Sequence, residues 1–281
     1  MDNKKSTKSV IKKILFYFFI VLFVFVMLFP FYWQFLTSLK PTSEITEMSF
    51  IPNFETASLK NYIYIFVNNN FGKYMINSLG VSAITTVTSI VIASSAAYAL
   101  ARLRFRGKVM IMGLILSCSM FPAIAIISPI YMTINNLGLR NTWAGLIIPY
   151  LAFAMPLSVW YLTTFFRTIP FELEEAAKID GCTPVQALVK VIIPLAVPGT
   201  FTTAILVFIQ AWNEYLFSLT INTDDNARTI PVGITMFKGE FDMPWVQNAA
   251  AIVVVTIPIA LLVLILQRRI ISGLTSGAVK G

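Results

Sequence analysis

"TIPFELEEAAKIDGCTPVQALVKVIIPLAVPG", residues 168–199, carries a cluster of charge inside a chain that is otherwise strongly apolar. Pro170 suits the first turn of a helix, where its missing N–H costs nothing. Glu172, Glu174 and Glu175 follow, near the positive end of the helix dipole, where acids are stabilising. Glu174 and Lys178 stand four residues apart, a spacing that pairs opposite charges on a helix surface. Gly181 is placed to take the left-handed conformation that stops a helix. Thr183 and Gln186 then have the form of a capping box, so a second helix starts there. The segment reads as helix, sharp glycine turn, helix. At about 100° per residue, Leu173, Ala176 and Ala177 share one face, while Glu174, Glu175 and Lys178 share the other. Two alanines make a flat surface that another backbone can approach, and the acids beside it would select a basic partner. A solvated connector would carry the same pattern, and the residues alone leave both readings open.

What flanks this segment sets the fold class. Of 281 residues 57% are hydrophobic and only 12% charged, with a mean hydropathy of +0.77; soluble domains carry about 25% charge. Runs long enough to cross a bilayer extend from Ile14 to Leu39, Tyr74 to Ala101, Val109 to Leu139, Asn141 to Phe166, Val191 to Asn213 and Met243 to Gln267. A spanning helix needs about 20 residues, so six spans is the natural count. Lipid offers no partner to unpaired backbone groups and no alternating pattern suggests a barrel, which makes the expected fold all-α. The third run is longer than one helix needs, and Pro122 and Pro129 are expected to end or kink it. Pro149, Pro156, Pro194, Pro198 and Pro258 punctuate the later spans, as packing kinks or as broken helices around a cavity. The first apolar run is too long for a signal peptide and lacks a small-residue cleavage site, so it reads as an uncleaved membrane helix.

Charge orients the spans. Lysines precede the first run, Arg102, Arg104, Arg106 and Lys108 crowd the link between the second and third, and further basic residues follow the fourth and sixth. Fifteen of the 21 Lys and Arg fall on one side, which by the positive-inside rule places both termini in the cytoplasm. The net charge of +8 therefore reflects topology, not a nucleic-acid partner. With no histidine, imidazole catalysis and imidazole metal ligation are excluded. Cys118 and Cys182 form no metal spacing. No nucleotide-binding loop or nucleophile elbow occurs, so the chain is read as carrying no catalysis and no cofactor of its own. The second span changes character, with Ser78, Gly80, Ser82, Ser89, Ala93, Ala96 and Ala97. Small residues let membrane helices approach closely, so this span belongs in the bundle interior. The domain reading is a tail, first helix and outer loop over 1–72, a five-helix core over 73–267, and a terminal tail over 268–281.

Glu175-Ala176-Ala177, Gly181 after three residues, and then Val191 and Ile193-Pro194 resemble the EAA motif of type I ABC importer permeases. Val191 and Ile193 replace the usual Ile and Leu. "YALARLRFRGK" (98–108), "WNEYLFSL" (212–219) and "GLTSGAVKG" (273–281) are similar to the carbohydrate branch, on its MalG-like side. The resemblance covers 73–281 strongly and the first helix by topology. It implies a multi-pass protein of a prokaryotic cell membrane that pairs with a second, homologous permease subunit as a heterodimer. Two cytoplasmic ATPase subunits, which use ATP and Mg, and an external solute-binding protein complete the implied importer. Glu174, Glu175, Ala176, Ala177, Asp180, Gly181 and Pro194 would form the coupling helix and its turn near 170–182. The tail residues Thr275, Gly277, Lys280 and Gly281 would reach the ATPase pair. The loop Lys238, Gly239, Glu240, Phe241 and Asp242 would meet the binding protein.

The implied cargo is a sugar, an oligosaccharide first, with glycerol phosphate, a polyol or a monosaccharide as alternatives and a secondary transporter as the rival of another class. No span holds an internal Lys or Arg, which favours a neutral solute. Glu214 is the acid placed within a hydrophobic run, about 30 Å beyond Pro194 at about 1.5 Å per residue, which puts it near the outer mouth. It is either a polar group lining the sugar cavity or a carboxylate satisfied by neighbours at the interface or holding the outer gate. The resemblance implies that the sugar site lies mainly in the other permease.

Overall fold

The computed structural model of the chain describes residues 3–46, 49–51, 53–237 and 244–278, with 3–10 and 268–278 as backbone alone. Every regular element among the described residues is helical. Two units divide the chain: residues 1–69 with 237–256, and residues 70–236 with 257–281.

The first unit is built on α1, Asn3–Leu39. Its side chains from Ile11 to Leu28 are all exposed, as expected of a helix apolar on every side that meets lipid. Burial begins only near its end, at Leu36 and Ser38. There the following loop folds back: Tyr32 donates to the carbonyl of Phe50, and the Phe50 ring lies 5.7 Å from that of Trp33. Asn61, on the short helix α2 (Lys60–Asn68), donates to the carbonyls of both Ser38 and Lys40. Those carbonyls lie at the end of α1, where no further turn of helix would satisfy them.

The second unit is organised around α3, Phe71–Arg102, which packs chiefly against α6 (Trp143–Thr168) and α10 (Val197–Trp212). Its buried stripe, Ser78, Ser82, Thr85, Ser89, Ala93 and Ala97, repeats every three or four residues. These small side chains bring backbones together, and Ser89 and Ser158 share a hydrogen bond of 3.0 Å inside the α3–α6 interface. The interior position expected of the second span is therefore observed. Gly80 serves the same closeness. A Cβ there would overlap the ring of Trp143, whose indole N–H donates to Asn77 at 2.9 Å.

Between α3 and α6 lie α4 (Lys108–Cys118) and α5 (Ala123–Asn136), bent by 87°. Pro122 sits at the N-cap of α5 and Pro129 inside it, so the first proline marks the break and the second does not. After α6 come α7 (Phe171–Ile179) and α8 (Pro184–Ala187), then a π-helical turn Leu188–Ile192 and the short α9 (Ile193–Leu195). This run meets α10 at a bend of 84°. The unit continues through α11 (Leu216–Ile221) and α12 (Ile230–Thr235). The long α13, Trp245–Ala278, begins in the first unit and ends in the second. Among the described residues four helices are long and apolar enough to cross a membrane, and each bent pair counted as one span brings the number to six. The fifth span differs from its expected limits. The bend at Ala196 removes Val191 to Leu195 from its axis, so the straight helix begins at Val197.

Candidate functional site

The helix–turn–helix read from residues 168–199 is present and closed by the expected hydrogen bonds. Gly181 has φ +83°. The N–H of Cys182 donates to Ala177 and that of Gly181 to Lys178, the two bonds of a Schellman turn. The Thr183 hydroxyl accepts from the Gln186 N–H, and the Gln186 side chain accepts from the Thr183 N–H. Pro170 stands at the N-cap, one residue ahead of its expected place.

The faces of α7 differ from the expected ones. Glu174, expected outward beside Glu175, is only 2% exposed and points inward with Ala177. Leu173 and Ala176, expected to share with Ala177 a face that another backbone can approach, are exposed while Ala177 is buried, and Glu175 and Lys178 are exposed too. The cause is a polar anchor at the end of α3. Tyr98 donates to Glu174 at 2.8 Å, Lys178 pairs with the same oxygen at 2.8 Å, and the Arg102 Nε lies 3.7 Å from the other. Arg102 also donates to the carbonyl of Ile169 at 2.6 Å, closing the C-terminal end of α6, and its guanidinium lies 4.4 Å over the Phe171 ring. Burial raises the pKa of Glu174. The hydrogen bonds from Lys178 and Tyr98 and the charges of Lys178 and Arg102 more than offset that, so the carboxyl sits below its ordinary range.

Arg102 was read in the sequence only as one of the charges that orient the spans. Its signal was available: Tyr98 and Arg102 stand four residues apart, so they share one face at the end of a small-residue helix. The result is an α7 fastened by Glu174 that offers Glu175, Ala176 and Ile179 to its surroundings, continued by exposed Val185 and Val189. Asp180 is exposed at the turn, and Pro194 lies in α9 beside the bend.

Glu214 lies two residues past the end of α10, which starts at Val197, just beyond the bend. Its carboxylate accepts from the Tyr150 hydroxyl at 2.6 Å and from the N–H groups of Phe217 and Ser218 at 2.8 and 3.2 Å, capping α11. It also lines a cavity with Thr85, Phe153 and Gln210. The carboxylate is thus satisfied by its neighbours and also borders a cavity.

A second polar hub escaped the sequence reading. Asp225 accepts from Asn70, Tyr74 and Arg228 at 2.6, 2.7 and 2.8 Å, and Asn77 donates to the carbonyls of Asn226 and Arg228. Burial raises the pKa of Asp225, but these hydrogen bonds and the Arg228 charge leave it lowered. Asn70, Tyr74 and Asn77 recur at helical spacing, which is the signal that could have found them. Thr275 and Gly277 lie on the last turns of α13. Lys280 and Gly281, and the loop residues Lys238, Gly239, Glu240, Phe241 and Asp242, lie outside the described residues.

Helices long and apolar enough to cross a membrane thus brace an exposed helical elbow on the end of α3. The chain belongs to the family described as binding-protein-dependent transport system inner membrane component, which matches residues 89–275. The trehalose transport system permease protein SugB of Mycobacterium tuberculosis is 49% identical over 256 residues, covering 90% of this chain and 93% of its own. The trehalose/maltose transport system permease protein MalG of Thermococcus litoralis is 39% identical over 277 residues, covering 98% and 99%. A diacetylchitobiose uptake permease, DasC of Streptomyces coelicolor, is 37% identical over 272 residues, covering 93% and 95%. Among solved structures, a bacterial ABC transporter involved in the import of the acidic polysaccharide alginate aligns with a TM-score of 0.77. It covers 95% of this chain and 98% of its own at 23% identity, which bears on the fold alone. The chain is a multi-pass membrane component of an ABC importer.

Proposed function

We propose that this chain is one of two homologous permease subunits of an ATP-driven importer that carries a sugar, an oligosaccharide first, into the cytoplasm. Its cargo class is supported by relatives named for trehalose, maltose and diacetylchitobiose transport. Both termini and the α7–α8 elbow are cytoplasmic in this reading, by the side on which Lys and Arg gather. Two ATPase subunits hydrolyse ATP with Mg, and an external binding protein delivers the sugar. The observation that carries the reading is the construction of α7: Glu174 fastens it inward, which leaves Glu175, Ala176 and Ile179 to dock on the ATPase. ATP binding drives transport only if inward- and outward-facing states differ in affinity for the ATPase and the binding protein. The elbow gives this chain its share of that difference. Thr275, Gly277, Lys280 and Gly281 are assigned to the ATPase pair, and Lys238 to Asp242 to the binding protein.

The test is reconstitution of both permeases, the ATPase and the binding protein in proteoliposomes, with uptake of labelled trehalose, maltose and diacetylchitobiose measured with and without ATP. ATP-dependent uptake of at least one is expected. Uptake that persists without the ATPase, or ATP-driven uptake of none of the three, overturns the reading.

A further inference from the structure

The cavity beside Glu214 is bounded by α3, α5, α6, α10 and α11 and has a volume of about 130 Å³. That is the volume of about four waters, and since a cavity of about 150 Å³ takes a benzene ring, it accommodates part of a pyranose and not the whole ring with its hydroxyls. Tyr150, Phe153 and Phe217 supply its aromatic surface, and the Phe153 and Phe217 rings stand 5.3 Å apart. A second cavity of about 160 Å³ adjoins it, sharing Ala154, Val207 and Gln210 and adding Tyr161 and Thr203. Tyr150, Ala154, Leu157 and Tyr161 form one stripe of α6, and Thr203, Val207 and Gln210 form one stripe of α10, so the two cavities make a track between these helices.

The polar groups along the track have unused hydrogen-bonding capacity. Thr85 is wholly buried, lines the first cavity, and its hydroxyl has no partner. A buried hydroxyl left without a partner costs free energy, and one on a residue beside a cavity can gain a partner from an occupant. A carboxylate offers about four lone-pair positions, and Glu214 has three taken, by Tyr150, Phe217 and Ser218. The remaining position accepts a hydroxyl, and the donors that surround Glu214 hold its geometry fixed. Gln210 brings an exposed amide, both donor and acceptor, to the point where the cavities meet. Apolar ring faces beside groups that both give and accept hydrogen bonds match a pyranose, which has apolar C–H faces and a rim of hydroxyls. Glu214 is the charged residue among those lining the first cavity, so an anionic group placed there would be repelled.

We infer that this chain holds a sugar subsite of its own, in which Thr85, Gln210 and Glu214 bind the hydroxyls of a neutral pyranose unit against Tyr150, Phe153 and Phe217. The inference rests on the sugar-importer reading above and departs from the expectation that the partner permease holds the sugar.

The test uses the complete reconstituted importer with whichever of trehalose, maltose or diacetylchitobiose the wild type takes up. Thr85→Val keeps shape and removes only the hydroxyl, so as a packing change it is neutral or stabilising. As a loss of a sugar contact, it lowers the uptake rate about three- to tenfold, the size of one hydrogen bond to a neutral group. Gln210→Ala is expected to lower uptake to a similar degree, with unchanged thermal stability of the assembled complex for both variants. A photoreactive phenylalanine analogue at Phe153 should crosslink labelled sugar during ATP-driven turnover, competed by excess unlabelled sugar, while the same analogue at Val87, exposed and outside both cavities, should not. Wild-type uptake by both variants, or equal labelling at both positions, overturns the subsite and leaves the importer reading standing. Absence of ATP-driven sugar uptake by the wild type removes the importer reading and the subsite with it.

Discussion

Removing Glu174 should release α7 from the bundle, and the structure gives the size of the effect. Losing one partner of a buried ion pair costs about 3–5 kcal/mol, because the remaining charge is left without compensation. For Glu174→Leu the stranded charge is Arg102, whose side chain is fully buried. It keeps the Ile169 carbonyl and the Phe171 ring, while its Nε and Nη1 have no hydrogen-bond partner. The Arg102–Glu174 separation of 3.7 Å is also long for a hydrogen-bonded pair. The lower end of the range, about 3 kcal/mol, is therefore expected, or about a hundredfold in an opening equilibrium. Arg102→Met strands less, because Glu174 keeps Tyr98 and Lys178, each at 2.8 Å. About 1–2 kcal/mol follows, close to tenfold. The double variant buries no charge and should be less open than Glu174→Leu alone.

Hydrogen exchange of the peptide covering 168–183, measured in lipid nanodiscs, reads this opening through the amides of Asp180, Gly181 and Cys182 that close the turn. Strictly additive effects of the two substitutions, or unchanged exchange in Glu174→Leu, would refute the anchor.

Gly181→Val should impair assembly and uptake far more than Gly181→Asn. At φ +83° with no atom near the missing Cβ, the penalty is one of backbone conformation, which asparagine tolerates and a β-branched residue does not; equal loss for both at equal membrane abundance would argue against the turn. Glu175→Lys should leave exchange in α7 unchanged, since Glu175 is exposed, yet reduce co-purification of the ATPase and sugar uptake; wild-type values of both would remove Glu175 from the docking face. Because the native carboxyl of Glu174 titrates below its unfolded value, its anchoring is fully present above about pH 4.3 and is lost as pH falls through the lowered native value. Exchange in 168–183, corrected for intrinsic rates, should thus be flat from neutral pH to about pH 5 and rise only in stronger acid, and Glu174→Gln should lose that acid limb.

Local chemistry was what the sequence disclosed best. The Gly181 stop and the Thr183–Gln186 box depend on neighbours within a few residues, so they could be read directly and are found in place. The interior role of α3 was likewise legible, because a run of small residues in a membrane helix has few other uses. Which way α7 turns was not. Counting hydrophobicity around a helix sends acids outward, and that rule fails when a basic residue far away in sequence waits inside. Tyr98 and Arg102 lie more than seventy residues from Glu174, and no periodicity within 168–199 could announce them. The same limit hid the Asp225 hub, whose partners Asn70 and Tyr74 come from the start of α3. Glu214 was placed by its distance from Pro194 alone, and its bond from Tyr150, 64 residues away in sequence, could not be read from that.

The bend at Ala196 links the elbow to the cavity. Pro194 lacks the N–H that would bond to the carbonyl of Lys190, and the π-helical turn Leu188–Ile192 accommodates the missing bond just ahead of it. Beyond the bend the chain runs directly into α10, which carries Thr203, Val207 and Gln210 along the sugar track. Upstream, Arg102 ties α7 to the ends of both α3 and α6, the helices that supply Thr85 and Tyr150 to the same cavity. The elbow is therefore joined to the helices that line the cavity at two places: through Arg102 to the ends of α3 and α6, and through α8 and α9 to α10 across the π-helical turn and the 84° bend. The two connections differ in kind. Arg102 is a buried charged side chain that cannot part from Glu174 without leaving a charge uncompensated, whereas the path through α9 crosses a segment whose regular helical bonding is interrupted. In the importer proposed above, a displacement of α7 would reach the cavity by both.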